Sequence, residues 1–147
     1  MSTTARDSST AVHGTSVTTN TGLRNSAELT GRILLVALFL ISGLGKITAY
    51  AATAGYMAAM GGPTIALPLV IGLEVLGAAA IALGWKTRIV AFLLAGFTLL
   101  TGIVFHNNFA DQMQTIMFLK NVSISGAFLM LATNGAGAFS LDARAAK

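Results

Sequence analysis

The chain has 147 residues, of which 54% are hydrophobic and only 10% charged, with a formal net charge of +4. Soluble domains carry about 25% charged residues to cover their surfaces, so this composition excludes an ordinary soluble globule and points to lipid as the solvent. There is no cysteine, which removes disulfides, thiolate catalysis, thiolate zinc sites and Cys-ligated iron–sulfur clusters together.

Residues 1–28 are rich in Ser and Thr and nearly devoid of large apolar side chains. Such a segment cannot bury enough surface to offset its ordering entropy, so a disordered cytoplasmic tail is expected there. No apolar core runs through it, which argues against a secretory signal. A transmembrane domain is expected over residues 29–140. Its first span begins around Thr30, Gly31 and Arg32, runs uncharged from Ile33 to Gly45, and reaches Tyr50 through Lys46. That length matches the roughly 20 residues needed to cross the hydrocarbon core.

The small-sided stretch Ala51 to Met60 is broken by Gly61-Gly62-Pro63, because a proline ring inside a helix removes a hydrogen bond and clashes. A short interfacial helix is expected here, with Tyr50 and Tyr56 at headgroup level. The second span covers about Thr64 to Leu83 and contains one charge, Glu74. Gly84-Trp85-Lys86-Thr87-Arg88 forms a turn with Trp85 as an interfacial anchor, and the third span covers about Ile89 to Phe105. After the polar loop His106–Gln112, the fourth span runs from about Gln114 to Thr133, with Lys120 and Asn121 in its first half. Gly135 and Gly137 are suited to end it, since glycine accepts the left-handed cap conformation. Residues 141–147 make a short cytoplasmic C-terminal tail. The expected fold class is all-α: an integral membrane four-helix bundle with a short interfacial helix between the first and second spans.

Four spans place the N-terminus, the Trp85 turn and the C-terminus on one side. That side carries Arg6, Arg24, Arg32, Lys86, Arg88, Arg144 and Lys147, against Lys46 and Lys120 toward the other. The positive-inside rule then puts both termini in the cytoplasm of a bacterial inner membrane. Because the cations are scattered and lack an aromatic-interleaved stripe, the charge reads as orientation and not as nucleic-acid binding. The histidines are His13, in the polar tail, and His106, so no metal site is expected.

Depth brings the remaining charges together. At 1.5 Å per residue, Lys46 lies ~21 Å along its helix from Arg32 and Glu74 ~15 Å into the second span. His106 caps the outer end of the third span, and Lys120 sits about two turns into the fourth. Phe39, Ser42, Gly43 and Lys46 share one helical face; Glu74, Gly77, Ala78 and Ile81 share another. Thr98, Gly102, Phe105 and His106 are read as a third such face, and Lys120, Ser123 and Ala127 as a fourth. Two readings follow. In one, Lys46, Glu74, His106 and Lys120 line an outward-opening pocket for a polar head group, a quinone or an oxyanion, since ionisable groups inside a membrane mark functional sites. In the other, Lys46–Glu74 and Asp111–Lys120 are structural ion pairs that fix helix register.

The segments Gly31-Arg32, Phe39-x-x-Ser42-Gly43-x-x-Lys46, Gly72-x-Glu74-x-x-Gly77 leading to Gly84, Phe118-x-Lys120-Asn121 and Ser140-Leu141-Asp142, in this order and spacing, resemble the DoxX family. The resemblance covers about Gly31 to Arg144, with Phe109 standing where many members carry Trp. It implies a small four-helix inner-membrane protein. The family takes its name from a relative of the membrane subunit of a thiosulfate:quinone oxidoreductase, and other members are associated with oxidative or quinone stress. The expected function is therefore redox-associated. Either the chain interacts with a quinone, with no covalent cofactor, or it is the membrane partner of a soluble or membrane redox protein, at most a subunit of a quinone-linked oxidoreductase. The alternative is a non-catalytic membrane scaffold or anchor subunit. A transporter would call for inverted repeats or paired broken helices, and none is evident.

Overall fold

The computed structural model describes residues 20–147. Its long helices are α1 (Thr21–Thr48), α3 (Leu67–Leu83, entered through a 3₁₀ turn at Thr64–Ala66), α4 (Thr87–Phe105) and α5 (Gln112–Asn134). Two shorter ones are α2 (Tyr50–Ala59) and α6 (Leu141–Ala145). Four segments are long and apolar enough to cross a membrane, and no strand occurs among the described residues. The all-α four-span architecture expected from the sequence is the one found, and α2 stands between the first two spans as anticipated.

Two boundaries require correction. Order is expected from residue 29, yet α1 starts at Thr21, with the Asn20 side chain accepting a hydrogen bond from Gly22 N. Residues 1–19 of the expected disordered tail lie outside the described residues. The polar residues 21–28 are helical because extending a helix that the span has already nucleated costs little, whereas starting one is unfavourable. With 28 residues, α1 is about 42 Å long and outreaches a hydrocarbon core of about 30 Å. The second correction is at the other terminus. A tail is expected over residues 141–147, but 141–145 are helix α6, capped by Ser140 Oγ accepting from Ala143 N at 3.1 Å.

Small residues set the packing. A Cβ on Gly43 of α1 would stand 2.7 Å from Val75 Cγ2 and 3.1 Å from Glu74 Cβ, so only glycine allows α1 and α3 to approach this closely. Gly77 receives Leu94 of α4, and Gly102 of α4 receives the Asn121 side chain of α5. Phe39 and Phe128 meet edge to face at 5.2 Å and join α1 to α5. The core consists of these contacts together with Val36, Ala78, Ile81 and Leu94. Large apolar side chains such as Ile41, Leu76, Phe92 and Leu100 point outward on all sides, which suits a lipid environment and would be a liability in water.

The N-terminal part of α1, the α3–α4 turn and α6 gather at one end, here termed the basic end. Arg32 is only 2% exposed. Its guanidinium donates to Ile81 O at 3.3 Å and to Phe139 O, tying α1 to the end of α3 and to the segment before α6. Asp142 of α6 accepts from Lys86 N at 2.8 Å and Thr87 N at 2.9 Å, capping the start of α4 from 55 residues away. Burial pushes the Asp142 carboxyl up, but the hydrogen bonds from Thr87 and Lys86 outweigh it and hold the group below the usual carboxylate range. A depressed carboxyl stabilises the fold above its unfolded value, and that stability is lost as pH falls through the folded value. Asp142→Ala is expected to cost about 1–2 kcal/mol in detergent unfolding at neutral pH. The difference from the parent should begin to shrink as pH falls through about 4, the unfolded value, and should close only below the depressed folded value. An Ala variant as stable as the parent at pH 7 would show that the cap contributes nothing.

Candidate functional site

The close approach at Gly43 places the next turn of α1 against the middle of α3. There Lys46 Nζ lies 2.8 Å from Glu74 Oε2 and 3.0 Å from Oε1. Ser42, one turn earlier, accepts from the same ammonium at 2.5 Å and lies 3.4 Å from Glu74 Oε1. Glu74 is buried, its side chain 7% exposed, while that of Lys46 is 23% exposed. The pair anticipated from helical spacing is therefore formed, with Ser42 completing it. Both carboxylate oxygens face the ammonium, and one also faces the Ser42 hydroxyl.

Beyond this pair lies a cavity of about 170 Å³ lined by Lys46, Thr53, Tyr56, Thr101, Phe105 and His106, with Met57, Val70 and Phe97. His106 Nδ1 is 2.8 Å from Gln114 Oε1. With that oxygen accepting, Nδ1 donates the hydrogen of this bond. Tyr56 of α2 and Phe105 of α4 stack with centroids 6.0 Å apart. A second cavity of about 220 Å³ shares Met57, Val70, Phe97, Thr101 and Phe105 with the first. The rest of its lining, including Pro63, Leu69, Leu73, Leu100 and Val104, is apolar. Polar groups thus sit at one end of the paired space and hydrocarbon at the other.

Not every expected member joins. Lys120 is exposed, its Nζ making only a 3.9 Å contact with Met117 Sδ of its own helix. Lys120, Ser123 and Ala127 are all exposed, and none of them faces the Lys46–Glu74 pair. The inward face of α5 is Asn121, Ser125 and Phe128 instead, with Ser125 Oγ donating to Ala95 O of α4 at 3.0 Å. Asp111 does not pair with Lys120 either. It caps α5, accepting from Met113 N at 2.7 Å. Phe109 leaves the loop to pack edge to face on Phe118 at 5.1 Å. Thr53 and Thr101 are not singled out by the sequence, since a threonine in a span bonds its own helix as readily as a ligand. Both do so here, Thr53 to Ala49 O and Thr101 to Thr98 O.

The chain resembles known proteins over most of its length. The family model described as DoxX matches residues 27–107, from α1 through α4. Inner membrane protein YqjF of Escherichia coli (strain K12) is 52% identical over 120 residues, 82% of this chain and 92% of the relative. Inner membrane protein YphA of the same organism is 42% identical over 123 residues, 79% of this chain and 88% of the relative. No solved structure matches.

Proposed function

This chain belongs to the DoxX family, and from that premise we propose that it is an inner-membrane protein whose paired cavity takes the ring and tail of a quinone. Its role would be redox metabolism or protection against quinone stress, acting alone or as the membrane partner of a soluble oxidoreductase. One observation carries this reading: the space is graded, with Lys46 and His106 at one end and, apart from Thr101, which lines both parts, apolar side chains at the other. A quinone has matching halves, a flat ring with carbonyl acceptors and a hydrocarbon tail. The Tyr56–Phe105 stack offers the ring a parallel surface. The Lys46 ammonium draws electron density toward a ring carbonyl, and His106, at the same end of the cavity, is the candidate partner for a quinol hydroxyl.

The test is binding of a short-tailed quinone to the purified protein in mild detergent, followed by calorimetry and by mass spectrometry of the lipid extract. Saturable binding is expected. It should weaken about tenfold or more, roughly 1.4 kcal/mol, in His106→Ala and in Val104→Trp, which fills the apolar half. Unchanged binding in both variants would overturn the proposal.

A second reading rests on a different observation. Glu74 is already matched by Lys46 and Ser42 and needs no ligand, so the pair also suits a non-catalytic scaffold in which it only fixes register. Quinone binding separates the two readings.

The same proposal places both termini in the cytoplasm, because the basic end carries Arg24, Arg32, Lys86, Arg88, Arg144 and Lys147. Helix α2 would then lie along the periplasmic surface. Reporter fusions after Lys147 and within 85–87 should read cytoplasmic, and one at Asn108 periplasmic. A periplasmic signal at Lys147 would reverse the orientation.

A further inference from the structure

The basic end holds a cleft that the quinone reading does not use. It opens between α1 and α5 with a volume of about 420 Å³. Its mouth carries Arg24, Glu28 and Arg32, one turn apart on α1, and Asn134 at the end of α5. Its floor is hydrocarbon: Leu35, Ala127, Met130 and Leu131. Ala127 and Met130 lie about two turns and one turn inward from Asn134, so the lining changes from charged to apolar along the bundle axis.

Two buried polar atoms at this mouth lack partners among the described residues. Arg32 spends its terminal nitrogens on Ile81 O and Phe139 O, but Nε has no acceptor, and Glu28 Oε2 has no donor. The other Glu28 oxygen faces Arg24 Nε at 3.4 Å. Glu28 is also held in place. Its carboxylate occupies the position a Cβ on Gly137 would need, and Gly137 has a φ of +75° that favours glycine. Buried groups left this way are costly, and their opposite characters define what is missing. One wants an anionic acceptor and the other a cationic donor. A lone anion would face the Glu28 charge and leave Oε2 without a donor; a lone cation would face Arg32 and leave Nε without an acceptor.

We propose that this cleft binds an amine-bearing glycerophospholipid, its phosphate at Arg24 and Arg32, its ammonium at Glu28, and one acyl chain along Leu35, Ala127 and Met130. The position suits a membrane lipid: Arg32 bonds to a carbonyl near the end of α3, the level at which the helices leave the hydrocarbon. Such a lipid closes the seam between α1 and α5, which meet at Phe39 and Phe128 farther inward.

The full chain, purified in mild detergent, should retain phosphatidylethanolamine above its share of the source membrane. After delipidation, adding phosphatidylethanolamine should raise the unfolding temperature. Phosphatidylglycerol should bind about tenfold more weakly, for want of the ammonium, and inorganic phosphate should have no effect. Glu28→Gln should remove the preference between the two lipids. Ala127→Phe, which fills the floor without touching the charges, should abolish lipid retention while unfolding in lipid-free detergent at nearly the parent temperature. Retention in proportion to the membrane, an equal response to inorganic phosphate, or undiminished retention by Ala127→Phe would each overturn the proposal.

Discussion

Replacing Glu74 with alanine is expected to lower stability in detergent by about 3–5 kcal/mol, the range seen when one partner of a buried ion pair is removed. The magnitude follows from the survivor. Lys46 points into the bundle at 2.8 Å from the lost carboxylate, and with it gone the ammonium keeps only Ser42 Oγ as acceptor. Lys46 sits near the end of α1 and is partly exposed, so it escapes toward the surface more easily than Glu74 does. Lys46→Met should therefore be the worse variant, since it strands a carboxylate that is almost fully buried. The double variant Lys46→Met, Glu74→Ala should be more stable than the sum of the single losses by about 1–3 kcal/mol, the coupling typical of contacting residues. Thermal unfolding of the four proteins measures it. Plain additivity would mean the two groups do not stabilise each other, whatever their distance. Single variants that stay stable but lose quinone binding would instead make the pair part of the ligand site.

The four spans and the Lys46–Glu74 pair are legible in the sequence for a shared reason. Phe39, Ser42, Gly43 and Lys46 form one unambiguous face, as do Glu74, Gly77, Ala78 and Ile81, and each face has one charge flanked by small residues. Helix α5 offers no such clarity. Lys120 and Ser123 mark one polar face, Asn121 and Ser125 another, about 100° around the helix. What decides between them is Gly102 on α4, whose missing side chain accommodates Asn121; a long ammonium gains more from the interface than from that slot. The start of α1 is misplaced when composition is weighed as if residues 20–28 stood alone. The role of Asp142 is not legible at all, since its partners at 86 and 87 are distant in sequence. The cavity is intermediate: spacing places His106 correctly at the end of α4, but its neighbour Tyr56 comes from α2, whose docking depends on the turn at Gly61–Pro63.

Gly84→Ala is expected to be the most damaging single-atom addition in the chain, at about 3–5 kcal/mol, above the usual range for point substitutions. Two costs combine. Gly84 caps α3 with φ 69° and ψ 43°, a left-handed conformation that penalises any side chain by about 1–2 kcal/mol. The greater cost is steric. A Cβ here would overlap both Arg32 Nη1 and Ser140 Cβ and come within 3.0 Å of Ser140 Cα. Neither neighbour is free to move: Arg32 is buried and bonded to Ile81 O and Phe139 O, and Ser140 Oγ donates to Gly137 O at 2.6 Å. The C-terminal segment must therefore lift off. That breaks the bond from Asp142 N to Gly84 O, 2.9 Å in the parent, and withdraws the carboxylate from the start of α4. Gly45→Ala supplies the control. It lies within α1 with nothing inside 4 Å of its Cβ position, and should be neutral or slightly stabilising, since alanine favours the helix by up to about 1 kcal/mol. Unfolding temperature should fall sharply for Gly84→Ala alone, and protease should then cut after residue 138 well before the spans unfold. A Gly84→Ala protein as stable and as resistant as Gly45→Ala would mean that the C-terminal helix does not brace the α3–α4 turn.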